Sequence, residues 1–398
     1  MISIMRRIIF SFIVFSVLFS ASSPAFERDL ELSGYSEPQY LLYDNGVSNG
    51  ASAWNRFRLD ALLRLSEGVT VEADLISLLY VDRETMNFAD FLPRRIRRSL
   101  PPEIRSQLSS ASRDSLYFDN VFLKIRKGRF DVTIGKQQLE FGPGFFRNPV
   151  NIFSSRDIID PTYEKTGHKA IRGDVTIGSR SLLTVFAASD DDLDDIGDVG
   201  SAIRLTVPSG RFDISCMVAE REWGMSKYGM SDSRSQQRYL YGFDAVGEFL
   251  GVGLWLEAQY SDMQYDDDYY EWVAGVDYTF ENQLYLMAEY YHGSRGNSDP
   301  DEISLDDWMS YFNDEVLAVS SDQLYVYSEY PAGDVLKIGL AGLFSLNDQS
   351  SAFVPSMRYS AHENILLSVL GQVYTGRDGA AFGSQLGSGI LCRMRCYF

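Results

Sequence analysis

Beyond residue 25 the sequence has no run approaching the ~20 apolar residues that a membrane-spanning helix needs. A chain without such a run is either soluble or crosses a bilayer as a closed β-barrel. Cysteine is scarce, three in 398 residues. Cys392 and Cys396 share one face of a strand about 13 Å apart, beyond disulfide reach. With Cys216 they read as small, outward-facing residues. Histidine is as rare: His168, His292 and His362 show no zinc-site spacing, and there is no Gly-x-Ser-x-Gly elbow. These gaps predict a protein that is not an enzyme, with no catalytic residues, no cofactor and no metal. Basic residues are in deficit, 36 against 55 acids, for a net charge of −19. That balance argues against a nucleic-acid partner.

Aromatic residues, by contrast, abound. There are 24 tyrosines and 25 phenylalanines, yet mean hydropathy is only −0.15. Such a profile suits strands that are apolar on alternate residues. The N-terminus has Arg6 and Arg7, an apolar stretch from Ile8 to Phe19, and small residues at Ser23-Pro24-Ala25. This is the pattern of a cleaved secretory signal. Residues 1–25 are expected to be removed, and 26–398 to form the folded unit.

Period-two alternation fills that unit. In one segment Phe57, Leu59, Ala61 and Leu63 oppose Arg56, Arg58, Asp60 and Arg64. Similar segments recur to about eighteen strands, or sixteen if one pair is misread. Tight connections such as Lys127-Gly128 and Pro208-Ser209-Gly210 alternate with long ones near 80–114, 139–168, 221–236 and 292–321. The expected fold is all-β, a transmembrane antiparallel up-and-down barrel with its long loops on the extracellular side.

The alternation assigns residues to the lumen. Arg56, Arg58 and Arg64 share one strand; Arg393 and Arg395 lie on the last, which closes against the first. Together they suggest a basic seam, faced by Glu257, Asp277 and Glu289 on the opposite wall. Such a field can set ion selectivity, and internal ion pairing is the alternative. Arg172 is a further inward candidate. Lys136, Gln137 and Glu140 bring charge and amide groups to the base of a Gly- and Pro-rich loop. In the 80–114 loop, Arg94, Arg95, Arg97 and Arg98 form a basic cluster, suited to a constriction if it folds in and to lipopolysaccharide phosphates if it stays out. Ser304 and Asp307 suggest a capping box, with Leu305, Trp308 and Phe312 on one helical face. The acidic loop from Asp190 to Asp198 lacks the spacing of a calcium loop.

Two segments resemble known families. The last predicted strand, Ser384 to Phe398, ends on an aromatic residue, as bacterial outer-membrane barrels do. That resemblance implies an outer-membrane location and makes Phe398 an assembly signal for the barrel-assembly machinery. Gly135-Lys136-Gln137, Phe141-Gly142-Pro143-Gly144, Asn148-Pro149 and Asp160-Pro161 are similar to the Gly-Arg-Gln, Trp-Gly-x-Gly, Asn-Pro and Asp-Pro pattern of porin-like proteins. They are distantly similar to the alginate-export barrels. Lys136 and Phe141 depart from the arginine and tryptophan of that pattern. The resemblance implies a pore-lining loop.

The function expected is a passive channel for small hydrophilic solutes, anions being one candidate class. Outer-membrane lipid and lipopolysaccharide would be its surroundings. The alternative is a surface barrel that binds polysaccharide or lipopolysaccharide, or exports an anionic polysaccharide.

Overall fold

Hydrogen bonds join each barrel strand to its chain neighbours, and the last strand to the first, in a computed structural model. It describes residues 29–81, 85–153, 167–189, 199–223, 236–312 and 316–398. The predicted signal, the acidic 190–198 loop and most of the 221–236 loop lie outside the described residues.

The strands are β1 (Leu30–Asp44), β2 (Asn49–Ser66), β3 (Val69–Tyr80), β4 (Thr85–Asn87), β5 (Ser109–Ala111), β6 (Ser115–Lys127) and β7 (Phe130–Gln137). They continue with β8 (His168–Ile177), β9 (Ser181–Ser189), β10 (Val199–Ser209), β11 (Phe212–Trp223), β12 (Gln236–Phe249), β13 (Val252–Met263) and β14 (Tyr269–Thr279). The last six are β15 (Tyr285–Gly293), β16 (Asp322–Pro331), β17 (Leu336–Ser345), β18 (Ser351–His362), β19 (Ile365–Tyr374) and β20 (Ser388–Tyr397). Strands β4 and β5 pair only with each other, inside one long loop. The other eighteen form a closed antiparallel sheet, the architecture expected from the alternation.

Closure leaves no unpaired sheet edge, and the pleat sends alternate residues in and out. On β10, Ile203, Leu205 and Val207 point outward and are exposed, while Ala202 is buried inside. Turn chemistry sets one end of the barrel. Gly128, Gly178 and Gly210 adopt φ near +63°, the left-handed region where a Cβ is costly. Leu250 (φ 54°) and Gly251 (φ 80°) make a tight turn of the same kind. The long loops gather at the other end. They carry α1 (Arg94–Ser99), α2 (Pro102–Gln107) and α3 (Leu305–Phe312). The capping box of α3 forms as expected: the Asp307 amide donates to Ser304 Oγ, and the Ser304 amide donates to the Asp307 carboxylate.

The expected final strand is shorter than its alternation suggested. Residues 384–386 form a 3-10 turn, and Gly387, at φ 85°, starts the chain into β20. At the other end of β20, Phe398 and Gly34 exchange backbone hydrogen bonds of 3.1 and 3.2 Å. The Phe398 ring stacks on Phe57 at 5.7 Å and lies directly over Gly34, where a Cβ would approach the ring to 2.7 Å.

One long-loop connection is held by acids that composition alone assigns to solvent. Asp266 accepts hydrogen bonds of 2.8 Å from Gln236 and from Arg295. Burial works to raise its pKa, but these two donors and the charge of Arg295 hold it below the usual carboxylate range. A depressed carboxyl adds stability above its unfolded value and loses it as pH falls through the folded one. Residues 262–269 are therefore expected to become protease-sensitive below about pH 4 while the barrel stays folded. A second expectation concerns closure. Phe398→Ala should remove the stack on Phe57 and lower the yield of folded barrel, read as the compact band on an unheated gel. An unchanged yield would show that the ring's seat is unimportant.

Candidate functional site

Past Gln137 the chain turns into the barrel instead of continuing upward. The Gln137 side-chain amide donates to the carbonyls of Thr133 and Ala170, each at 3.2 Å, and so fastens the end of β7 to β8. Leu139, Phe141, Val150, Ile152 and Phe153 then pack against an apolar patch of inner wall, made by Ala170, Phe186, Ala188, Ala202, Met217, Ala219 and Leu240. Phe141 stacks on Phe186 at 4.9 Å, with the guanidinium groups of Arg172 and Arg204 each 5.8 Å from its ring. Those arginines are paired in turn with Asp174 (2.8 Å) and Asp244 (2.6 Å).

Two buried carboxylates hold the loop. Glu257 on β13 accepts from the backbone amides of Gly144 (2.9 Å) and Val150 (2.7 Å). Glu289 on β15 accepts from three successive amides, Phe145, Phe146 and Arg147, at 2.7 to 2.9 Å, and from the Trp255 indole at 2.8 Å. Both glutamates are fully buried. A run of amides converging on one anion is a nest, here filled by the protein's own side chain. The motif's glycines follow from this. Gly142 has φ 80°, and a Cβ there would come within 2.7 Å of the Glu257 carboxyl carbon.

The loop tip reaches the far wall. Phe146 stacks on Tyr325 at 5.0 Å beside Leu343, Ala352 and Phe382. The Arg147 guanidinium bonds the Gln323 amide oxygen at 3.0 Å. Above the tip lies a cap with its own apolar core, including Leu92, Ile96, Leu108, Ile303, Trp308 and Ala381. Tyr311 of α3 sits 5.9 Å from the Arg147 guanidinium and joins cap to loop.

The wall this loop does not cover runs from β19 through β20 and β1 to β3. Arg56, Arg58, Arg393 and Arg395 share its inner face, as the alternation required. Sequence reading missed the groups that hold them. Glu37 on β1, 2 % exposed, bonds Arg395 at 2.5 Å and accepts from Gln39 at 2.8 Å. Gln39 accepts from Arg393 at 3.2 Å, and Tyr35 accepts from Arg56 at 3.1 Å. Arg58 bridges Asp60 (2.5 Å) and Asp74 (3.0 Å). The expected seam is thus a laced network of four arginines and three carboxylates. It opens toward the short-turn end: side-chain exposure is 12 % at Arg58, 21 % at Arg395, 38 % at Arg358 and 57 % at Lys337.

Other expected site residues stand elsewhere. Lys136 is paired in register with Val121 and Lys169, on the face of Ile134 and Ile171, so it points out of the barrel. It is not in the lumen; the inward face of β7 carries Thr133 and Gln137. Gln137 is buried as a brace, and Glu140 is exposed at the loop's outer edge. Arg64 lies at the short-turn rim, bound to Glu31 at 2.6 Å and apart from the other seam arginines. Arg172 supports Phe141. Glu257 and Glu289, expected to supply a field across the lumen, are consumed by the loop amides. Of the loop arginines, Arg95 donates to the carbonyls of Asp301 and Ile303, and Arg97 to that of Asp90. Arg94, Arg95 and Arg98 are exposed on the cap.

Removing the anchors should free the loop without opening the barrel. In Glu257→Ala/Glu289→Ala, hydrogen exchange at the amides of Gly144 to Val150 should quicken by roughly ten- to a hundredfold, the worth of a charged hydrogen bond. The strand amides should stay protected. Unchanged exchange at 144–150 would show that the apolar contacts alone hold the loop.

The sequence matches no family model and no curated protein. Solved structures do resemble the fold. Acinetobacter baumannii OccAB1 superposes with a TM-score of 0.59 at 10 % identity, over 94 % of this chain and 97 % of that one. OccAB2 of the same organism gives 0.59 at 10 % identity, over 94 % and 99 %. OccAB4 gives 0.58 at 10 % identity, over 94 % and 100 %. At such identity the likeness is one of fold, and the fold is that of the bacterial outer-membrane porins.

Proposed function

We propose that the protein is a passive outer-membrane channel for small hydrophilic anions. One observation carries this reading: the inward loop lies against β8 to β18, and on the wall beyond it Arg58 and Arg395 stay partly exposed, while Arg56 and Arg393 are buried within the same network. A solute crossing the barrel would pass between the loop and this network. Arg395, Arg358 and Lys337, increasingly exposed in that order and paired with Glu37 and Glu329, extend it toward the short-turn end. A lumen lined on one side by fixed charge selects by sign and excludes apolar solutes.

The network favours a small solute over a charged polymer. An exporter of anionic polysaccharide calls for a continuous basic track. Here Glu37, Asp60 and Asp74 interrupt the arginines, and Leu41, Leu391 and Leu370 occupy the inner wall on the long-loop side of them. A cleaved signal at 1–25, assembly through the barrel-assembly machinery with Phe398 as its signal, and contact with lipopolysaccharide belong to the same reading.

Purified protein in planar bilayers should conduct, with a reversal potential of anionic sign in a salt gradient. Arg58→Gln/Arg395→Gln should cut the anion-to-cation permeability ratio by about two- to tenfold, since charge on a narrow wall acts at close range. Glu37→Gln should raise it. A barrel sealed to ions, or a ratio indifferent to all three changes, would sink the proposal.

A further inference from the structure

Below the loop tip, toward the short-turn end, the inner wall turns aromatic. Trp255 on β13, Tyr285 on β15 and Tyr327 on β16 share the inward parity of the buried Glu257, Glu289 and Tyr325, and all three are half-buried. Tyr285 and Tyr327 stand edge to face at 6.2 Å. Trp255 lies across Gly275, where a Cβ would come within 1.9 Å of the indole. Aromatic rings near the ends of a barrel are ordinary on its outer face, where they meet the lipid interface. On the inner face lipid does not call for them.

Charge of both signs frames these rings. The Tyr285 hydroxyl donates to Asp277 at 2.9 Å, and the Tyr327 hydroxyl donates to Glu329 at 2.7 Å. Lys337 and Arg358 pair with Glu329, and their side chains remain 57 % and 38 % exposed. A carboxylate has about four lone-pair sites, so one phenol does not exhaust it. The wall therefore presents apolar ring faces, acceptors and donors side by side. A flat aromatic acid would be repelled by Asp277 and Glu329, and an organic cation by Lys337 and Arg358. A neutral ring with apolar C–H faces and a rim of hydroxyls uses all three groups. Its faces stack on the aromatic rings, and its hydroxyls donate to the carboxylates and accept from the bases.

We infer that Trp255, Tyr285 and Tyr327, with Asp277, Glu329 and Arg358, form a stacking subsite for a sugar in its pyranose form. The rings supply the apolar platform, and the charged groups fix the orientation of the hydroxyls around it. The subsite lies on a different stretch of wall from the network of β1 to β3, and it does not require the pore to select anions.

The test measures binding to the full folded chain in lauryldimethylamine oxide, a detergent without sugar, so conduction is not needed. Saturation-transfer NMR with methyl α-glucoside should show transfer to the C–H protons of the sugar ring. Sorbitol, an open chain without a flat face, and benzoate should each bind about tenfold more weakly. Tyr285→Ala/Tyr327→Ala should weaken glucoside binding by about tenfold, and Tyr285→Phe/Tyr327→Phe should keep most of it, because the ring faces remain. Glu329→Gln should weaken the glucoside and strengthen benzoate. The compact band on an unheated gel checks that each variant is folded; if the alanine pair does not fold, Tyr285→Leu/Tyr327→Leu keeps the bulk without the flat face and serves the same test. No transfer from wild type, or equal glucoside binding by wild type and the ringless variant, would overturn the subsite. Sorbitol or benzoate bound as tightly as the glucoside would overturn the sugar assignment.

Discussion

The burial of Glu257 and Glu289 under a strip of backbone determines how the interior of this barrel is arranged. A loop has no ladder of its own, so its amides must find acceptors wherever it is buried. Here five of them find two carboxylates on β13 and β15. The exchange is mutual, because a buried carboxylate is costly unless several donors surround it. Loop position, the crowding at Gly142, the reach of Arg147 to Gln323 and the seating of the cap on Arg147 all follow from that one contact.

Barrel architecture was legible because it rests on local rules. Alternation and turn residues repeat at every hairpin, and a one-residue slip would expose the wrong face to lipid. The inward sets of β2 and β20 could be read directly, since their outward partners around Phe57 to Leu65 and Ile390 to Met394 are apolar or cysteine. Strand β1 was harder. Gly34, Ser36 and Pro38 stand on its outer face and blur the pattern, which hid Glu37 and Gln39 on the inner one. A stricter reading of Tyr35, Glu37, Gln39, Leu41 and Tyr43 as one face would have found them.

The roles of single residues were less legible, for two physical reasons. Parity decides inside from outside but not what covers a side chain once inside. Glu257 and Glu289 were rightly placed inward, yet their partners are amides more than a hundred residues away in sequence. Lys136 failed differently. Its neighbourhood in a glycine-rich motif suggested the lumen, whereas its register with Val121 and Lys169 sets it outside. Motif likeness reports a backbone shape; strand parity reports a direction, and the direction decides.

The contact of Phe398 with Gly34 and Phe57 also bears on how the barrel comes into being. Every other pairing in the barrel joins segments adjacent in the chain, but the pairing of β1 with β20 brings together residues such as Glu37 and Arg395, 358 positions apart. So distant a contact carries the largest loop-closure cost and forms late. Until it does, β1 and β20 are open edges able to pair with another chain. The Phe398 ring, stacked on Phe57 and seated over Gly34, adds side-chain contacts to that one long-range pairing.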